Sequence, residues 1–291
     1  MTRAQATAVG FGAVLLWALL ALFTVGSAPV PPLLLNALCF AVGGAIGLGW
    51  AAARGRLGVL RSVPPAVYAF GTAGLFGYHA FYFSALRLAP PAEAGLIAYL
   101  WPLLIVLFSG LLPGERLRAG HVLGAALAFG GAALLLAGGV GQGGHWAGYS
   151  FAILCALTWS SYSVLSRRLG HVPTEAVAVF CLASAALSAL AHLALEVPAW
   201  PLGVLGWLSV LALGLGPVGL AFYLWDIGVK GGDIQLLGVA SYAAPLLSTI
   251  ALVAVGFAEP TLALLLAAVL IAGGAALAAR AGGAVRRRTG A

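Results

Sequence analysis

Apolar runs about as long as a bilayer is thick, separated by short polar gaps, set the pattern of this chain. A hydrocarbon core of about 30 Å takes roughly 20 helical residues to cross. Breaks at charges, Pro and Gly leave ten such runs, at roughly 6–26, 31–53, 64–86, 92–112, 119–138, 146–166, 174–195, 202–228, 233–255 and 260–281. No gap between them is long enough to fold by itself, and the alternating ten-residue segments of a membrane barrel are missing. In lipid every backbone amide must be paired within its own segment, so the runs are predicted as helices. The expected fold class is an all-α integral membrane protein of ten transmembrane helices.

Composition supports that reading and removes others. The 291 residues are 63% hydrophobic and 7% charged, with 14 Lys and Arg against 7 Asp and Glu, and the mean hydropathy is +1.08. A soluble domain has about 25% charged residues, because most of its surface faces water. The net charge of +7 does not point to nucleic acid. The basic residues sit singly or in small groups between apolar runs, where membrane topology signals sit. With a cytoplasmic N-terminus, 13 of the 14 Lys and Arg lie inside and only Arg87 lies outside. The positive-inside rule therefore predicts both termini in the cytoplasm. Cys39, Cys155 and Cys181 all fall inside apolar runs without a pairing rhythm, as small packing residues do. The first run follows a single Arg and lacks a clear cleavage site, so it is read as a retained helix.

The two halves repeat. Tyr99-Leu-Trp-Pro-Leu-Leu104 resembles Tyr242-Ala-Ala-Pro-Leu-Leu247, and Gly130-Gly-Ala-Ala-Leu134 matches Gly273-Gly-Ala-Ala-Leu277, both 143 residues apart. Trp17 and Trp159, and Pro31 and Pro173, are 142 apart; Phe81-Tyr82 and Phe222-Tyr223 are 141 apart. The expected unit is five helices, over 1–140 and 145–282, followed by a basic cytoplasmic tail at 283–291. Five is odd, so the second copy enters the membrane upside down. Inverted repeats place a binding site at their interface near the midplane and allow two alternating states.

The chemistry available at that depth is aromatic. Charges within a bilayer are costly, and the Asp and Glu here all fall near run ends. His79 is the one ionisable group well inside a run. Tyr78, His79 and Tyr82 share one helical face, and Thr158, Trp159, Tyr162, Ser163 and Ser166 form a polar-aromatic stripe. Trp17 falls at similar depth, and Tyr99, Trp101 and Tyr242 flank Pro102 and Pro245. Buried Tyr and Trp need hydrogen-bond partners that lipid does not offer. Trp50, Trp146, Trp200 and Trp207, near run ends, read as interfacial anchors. Pro102, Pro217 and Pro245 each free a carbonyl four residues back, a bend or hinge in a moving helix. Gly43 and Gly47, and Gly120 and Gly124, have the spacing that lets helices approach closely. No nucleophile set, phosphate loop or metal-ligand cluster is visible, so no catalysis, cofactor or metal is expected.

Ten helices, five-plus-five repeats and a proline in runs four and nine resemble the EamA-type members of the drug/metabolite transporter superfamily. The likeness covers the whole chain. Gly77-Tyr-His-Ala-Phe-Tyr-Phe83 and Ala98-Tyr-Leu-Trp-Pro-Leu-Leu104 are similar to the YddG-type aromatic amino acid exporters. The resemblance implies a basket-shaped bundle, a central cavity open to each side in turn, and export of amino acids, aromatic ones especially, across a bacterial inner membrane. The residues agree: without Lys, Arg, Asp or Glu at depth, the cavity suits a neutral or zwitterionic solute with a flat ring. Trp17, Tyr78, His79, Tyr82, Tyr99, Trp101, Trp159, Tyr162 and Tyr242 are expected to bind it. Two roles stand open for His79, proton coupling and neutral hydrogen bonding; without a buried carboxylate, facilitated export is the simpler mechanism. The expected partners are a small-molecule substrate and the lipid bilayer, with the protein a monomer. The rivals are export of another neutral metabolite or drug-like compound, and a structural or sensory membrane protein.

Overall fold

The computed structural model describes residues 1–136, 145–254, 259 and 261–289. The expected border between the halves, at 140–145, lies largely outside the described residues. Fourteen α-helical segments occur among the described residues. They are α1 Arg3–Ala18, α2 Leu20–Gly26, α3 Pro32–Ala53, α4 Pro65–Leu88, α5 Pro91–Ala98, α6 Trp101–Ser109 and α7 Ala119–Leu136. The second half holds α8 Trp146–Arg168, α9 Ala176–Leu195, α10 Gly203–Leu215, α11 Ala221–Gly231, α12 Ile234–Ala240, α13 Ala243–Ala254 and α14 Leu262–Thr289. No strand occurs among the described residues.

Local sequence accounts for many of the ends. Each Pro-Pro pair (Pro31-Pro32, Pro64-Pro65 and Pro90-Pro91) opens a helix. Proline suits that position because its fixed φ is helical and its missing N–H would have had no partner there. Thr2 and Gln5 close a reciprocal capping box on α1. Asp233 accepts the Leu236 N–H at the start of α12.

Among the described residues six stretches are helical, long and apolar enough to cross a membrane: Arg3–Gly26, Pro32–Ala53, Ala176–Leu195, Gly203–Gly231, Ile234–Ala251 and Leu262–Ala281. Glu93–Ser109 and Ala119–Leu134 are shorter apolar helices. The α4 and α8 helices, 24 and 23 residues long, have the length but less hydropathy. They are the helices whose aromatic and hydroxyl side chains the sequence marks as chemistry.

Small residues set the spacing of the helices, and the pair α7 and α14 runs antiparallel. Along α7 and α14, Gly120 meets Ala281, Gly124 meets Gly274 and Ala278, and Gly131 meets Ala267 and Ile271. The numbers rise on one helix as they fall on the other. A Cβ on Gly10 would lie 2.8 Å from the Gly228 Cα, so α1 and α11 touch backbone to backbone. The α3 and α9 helices are tied at both ends: Glu196 accepts the Leu33 and Leu34 N–H groups, and Arg56 pairs with Glu175 at 2.6 Å. The packing pairs are symmetric between halves: α1 lies against α11 and α4 against α8, α4 against α9 and α3 against α10, α6 against α8 and α1 against α13.

Many long aliphatic side chains face outward, as on Leu190, Leu193, Leu205 and Leu265, whereas the interior mixes Ala, Gly, Ser and aromatic rings with buried aliphatics such as Leu75, Ile105 and Leu213. Such an exterior suits lipid. The charges gather at the two ends of the bundle. At one end Glu115 bridges Arg3 at 3.2 Å and Arg167 at 2.5 Å, and Arg3 also reaches Asp233. At the other, Glu196 binds Arg87 and His192, both at 2.9 Å.

Four predicted runs are interrupted. Breaks fall at Leu19, at Tyr99-Leu100, over Gly216–Leu220 and at Ser241-Tyr242. The second and fourth precede Pro102 and Pro245, and the third is a π-helical turn containing Pro217, in each case where proline removes an N–H and crowds the preceding turn. Nothing in the local sequence accounts for the break at Leu19.

Candidate functional site

Four tryptophans from four helices meet inside the bundle: Trp17 on α1, Trp101 on α6, Trp159 on α8 and Trp225 on α11. Trp17 lies 6.1 Å from Trp101, 5.8 Å from Trp159 and 5.1 Å from Trp225, centroid to centroid. Trp101 is 6.4 Å from Trp159 and 5.9 Å from Trp225, edge to face in both cases. Edge-to-face contact sets the positive rim of one ring on the negative face of the next. Two of the indoles have fixed hydrogen-bond partners. Trp17 Nε1 donates to the Pro217 carbonyl at 3.0 Å, and Trp225 Nε1 donates to Ser163 Oγ at 3.0 Å. Phe222, one turn before Trp225, lies 5.7 Å from Trp159 and stacks on Phe40 at 5.5 Å.

The polar wall of the site comes from α4. Tyr78 lies 5.4 Å from Trp159 and stacks on Tyr82 at 6.1 Å, and Tyr99 is an electrostatic neighbour of both phenols. His79 sits edge-on to Phe40 at 5.1 Å. Its Nδ1 lies 2.7 Å from the Leu75 carbonyl. A carbonyl only accepts, so Nδ1 carries the proton, and in the neutral ring Nε2 is left as an acceptor. Trp17, Tyr78, His79, Tyr82 and Tyr99 lie deep in the bundle yet keep accessible surface, whereas Trp101, Trp159 and Tyr162 are buried. The buried rings form an aromatic floor against which Trp17 and Tyr78 pack. Tyr162 extends the floor, 5.3 Å from Trp159 and 5.5 Å from Phe70.

Tyr242 packs in the cluster that includes Tyr99, away from the four tryptophans. It is fully buried, its ring faces Phe129 at 6.0 Å, and its hydroxyl accepts the Leu103 N–H at 3.1 Å. The break before Pro102 frees that N–H, so the two proline breaks of α5–α6 and α12–α13 are bonded to each other. Pro217 also acts through its own carbonyl, which receives Trp17. Trp50, Trp146, Trp200 and Trp207 are exposed on the outside of the bundle.

Trp225, Phe222 and Phe40 belong to the cluster and are absent from the set marked by sequence. Phe222 was within reach, since Phe222-Tyr223 repeats Phe81-Tyr82. Trp225 sits near the end of its run beside Asp226, which in sequence reads as an interfacial position. Only the packing of α11 against α1 and α8 turns it inward. Among the described residues no group of His, Cys, Asp and Glu could hold a metal ion.

A model of the EamA-like transporter family matches residues 6–137 and again residues 146–280. A protein of Ancylobacter novellus named aromatic amino acid exporter YddG is 60% identical over 283 residues, 96% of this chain and 98% of that protein. The protein of the same name from Salmonella typhimurium is 29% identical over 168 residues, 54% of this chain and 56% of its own. A solved crystal structure, 59% identical, superposes with a TM-score of 0.91 over 95% of this chain and 98% of the other. With two copies of the family sequence, each supplying two of the four clustered tryptophans, this chain belongs to the EamA-like transporter family.

Proposed function

We propose that this protein exports aromatic amino acids across a bacterial inner membrane by alternating access. Its ten membrane crossings form two inverted five-helix repeats, 1–140 and 145–282, with both termini and the basic tail in the cytoplasm, and it works as a monomer. The antiparallel pairing of α3 with α9 and of α7 with α14 supports the inversion, because these are repeat-related runs. The gathering of Arg3, Arg56, Arg167 and Lys230 at one end supports the orientation.

The observation that carries the substrate is the aromatic cluster, with Trp17 and Trp101 from one repeat and Trp159 and Trp225 from the other. Rings on this floor stack against a flat side chain, and their faces attract an ammonium. His79 Nε2 and the tyrosine hydroxyls meet the polar end. Either repeat moving against the other would remake these contacts from the opposite side. The proline breaks at α5–α6 and α12–α13 and the π turn at Pro217 are the hinges. His79 acts as a neutral hydrogen-bond partner, and export runs down the substrate gradient.

The test is counterflow in liposomes loaded with unlabelled tryptophan, with phenylalanine, threonine and a cationic dye as competitors. Saturable uptake of labelled tryptophan, blocked by phenylalanine and lost in Trp101→Ala, is expected. Competition by the dye alone would replace the substrate. An absence of flux for every solute would replace the function with a structural or sensory one. His79→Gln is expected to keep both counterflow and its pH profile; loss of a pH-dependent component would make His79 a proton carrier.

A further inference from the structure

The π turn over Gly216–Leu220 withholds from one carbonyl its usual partner. In an α-helix the Ala221 N–H would take the carbonyl of Pro217, four residues back. Here it goes to the Gly216 and Gly219 carbonyls instead. The Pro217 carbonyl is filled from another helix: Trp17 Nε1 donates to it at 3.0 Å. The neighbouring Leu16 faces the same turn, 3.5 Å from where a Cβ on Gly216 would stand. The turn itself is tightly folded, since a Cβ on Gly219 would collide with the Gly214 carbonyl and lie 3.1 Å from the Gly43 Cα. The run that carries Trp17 also breaks, two residues on, at Leu19. Two interrupted runs, one from each half, are therefore joined by a single side-chain hydrogen bond. Turns of the π kind gather at functional sites.

We propose that Trp17 is a positioning residue that couples the occupant of the aromatic site to the π turn: its ring meets the flat side chain of the solute, and its N–H holds the turn until that ring is moved. This rests on the export reading above. The Trp17 ring lies 5.1 to 6.1 Å from the other three indoles, centroid to centroid. Rings at such distances already touch, so a flat solute entering among them has to displace one. Trp101, Trp159 and Trp225 are buried, and Trp225 is bonded to Ser163. Trp17 keeps accessible surface and is the ring that gives way. Once it moves, the Pro217 carbonyl loses its donor. Within its own helix the carbonyl is satisfied by the Ala221 N–H when the turn rewinds to the α form, which shifts the register at the start of α11. Phe222 and Trp225 lie on α11, so rewinding moves two rings of the site itself.

Hydrogen–deuterium exchange of the backbone amides at 218–222, in the purified full-length protein, reads the turn directly. Saturating tryptophan is expected to speed exchange there by about fivefold in the wild type, the share of one hydrogen bond. Trp17→Phe keeps a ring and removes the N–H. It is expected to exchange at the faster rate without tryptophan and to respond no further when tryptophan is added. Ser163→Ala, which removes the Trp225 bond in the same cluster, is expected to keep the wild-type rate and the wild-type response. No response in the wild type, a full response in Trp17→Phe, or equal loosening by Ser163→Ala would overturn the coupling. Tryptophan counterflow in the same wild-type preparation would then leave the export reading intact, and its absence would overturn both. Should Trp17→Phe fail to fold, the wild-type response and its Ser163→Ala comparison decide the matter.

Discussion

The hydroxyl of Tyr242 shows how far one side chain's task depends on its partner. Beside Pro245, it reads as a ring on the cavity wall; in the bundle it holds the Leu103 N–H that the break before α6 leaves free. Tyr242→Phe removes that acceptor, and an unpaired buried N–H costs about 1–3 kcal/mol. A lower unfolding temperature in detergent, with the tryptophan KM of the surviving protein unchanged, is the expected result. A raised KM with unchanged unfolding would return Tyr242 to the binding set. The identities of Trp17, Trp101, Trp159 and His79 as interior chemistry were legible, because each is a large or polar group in an apolar run. Trp225 was not, because depth along a run says nothing about the direction in which a side chain near its end will point.

Helix pairs in this bundle are spaced by what their side chains lack. Gly124 on α7 lies against the backbone of Gly274 on α14, and Gly131 against Ala267. Gly124→Val would force the pair apart and expose both faces to lipid. Overpacking of this kind costs about 1–3 kcal/mol, and thermal unfolding of the purified variant is expected to fall accordingly. The same substitution at Gly49 or Gly130, where a Cβ meets nothing, is the control. The pairs Gly120/Gly124 and Gly43/Gly47 were legible as contact faces from spacing alone. Their partners were not: Gly43 meets Gly219 in the π turn, and Gly47 meets Tyr223.

At the scale of the molecule, one end of the bundle is tied together by charge. Glu115 holds Arg3 and Arg167, and Arg167 also donates to the Val229 and Gly232 carbonyls, at 2.9 and 2.8 Å. This network ties α1 and the loop after α6 to α8 and to the loop before α12. Glu115→Gln removes the shared carboxylate and takes from Arg167 its counter-charge, while Arg3 keeps Asp233. A cysteine at Ser166, buried below the floor, is then expected to alkylate several times faster than in the parent protein. An unchanged rate would mean that the ion network does not limit access to Ser166 from this end.

Sequence by itself determined the helical class, the position of most runs, the two halves and the aromatic character of the interior. These follow from composition and spacing, because a bilayer constrains length and polarity residue by residue. It also marked Pro102, Pro217 and Pro245 as irregular points, since proline acts on its own helix. Tertiary structure alone decided which rings share a centre, that Tyr242 braces one proline break against another, and that Trp17 is bonded to the π turn. Those outcomes depend on how each helix is rotated about its axis. That rotation is set by the fit of glycines and rings between helices distant in sequence, which no local pattern encodes.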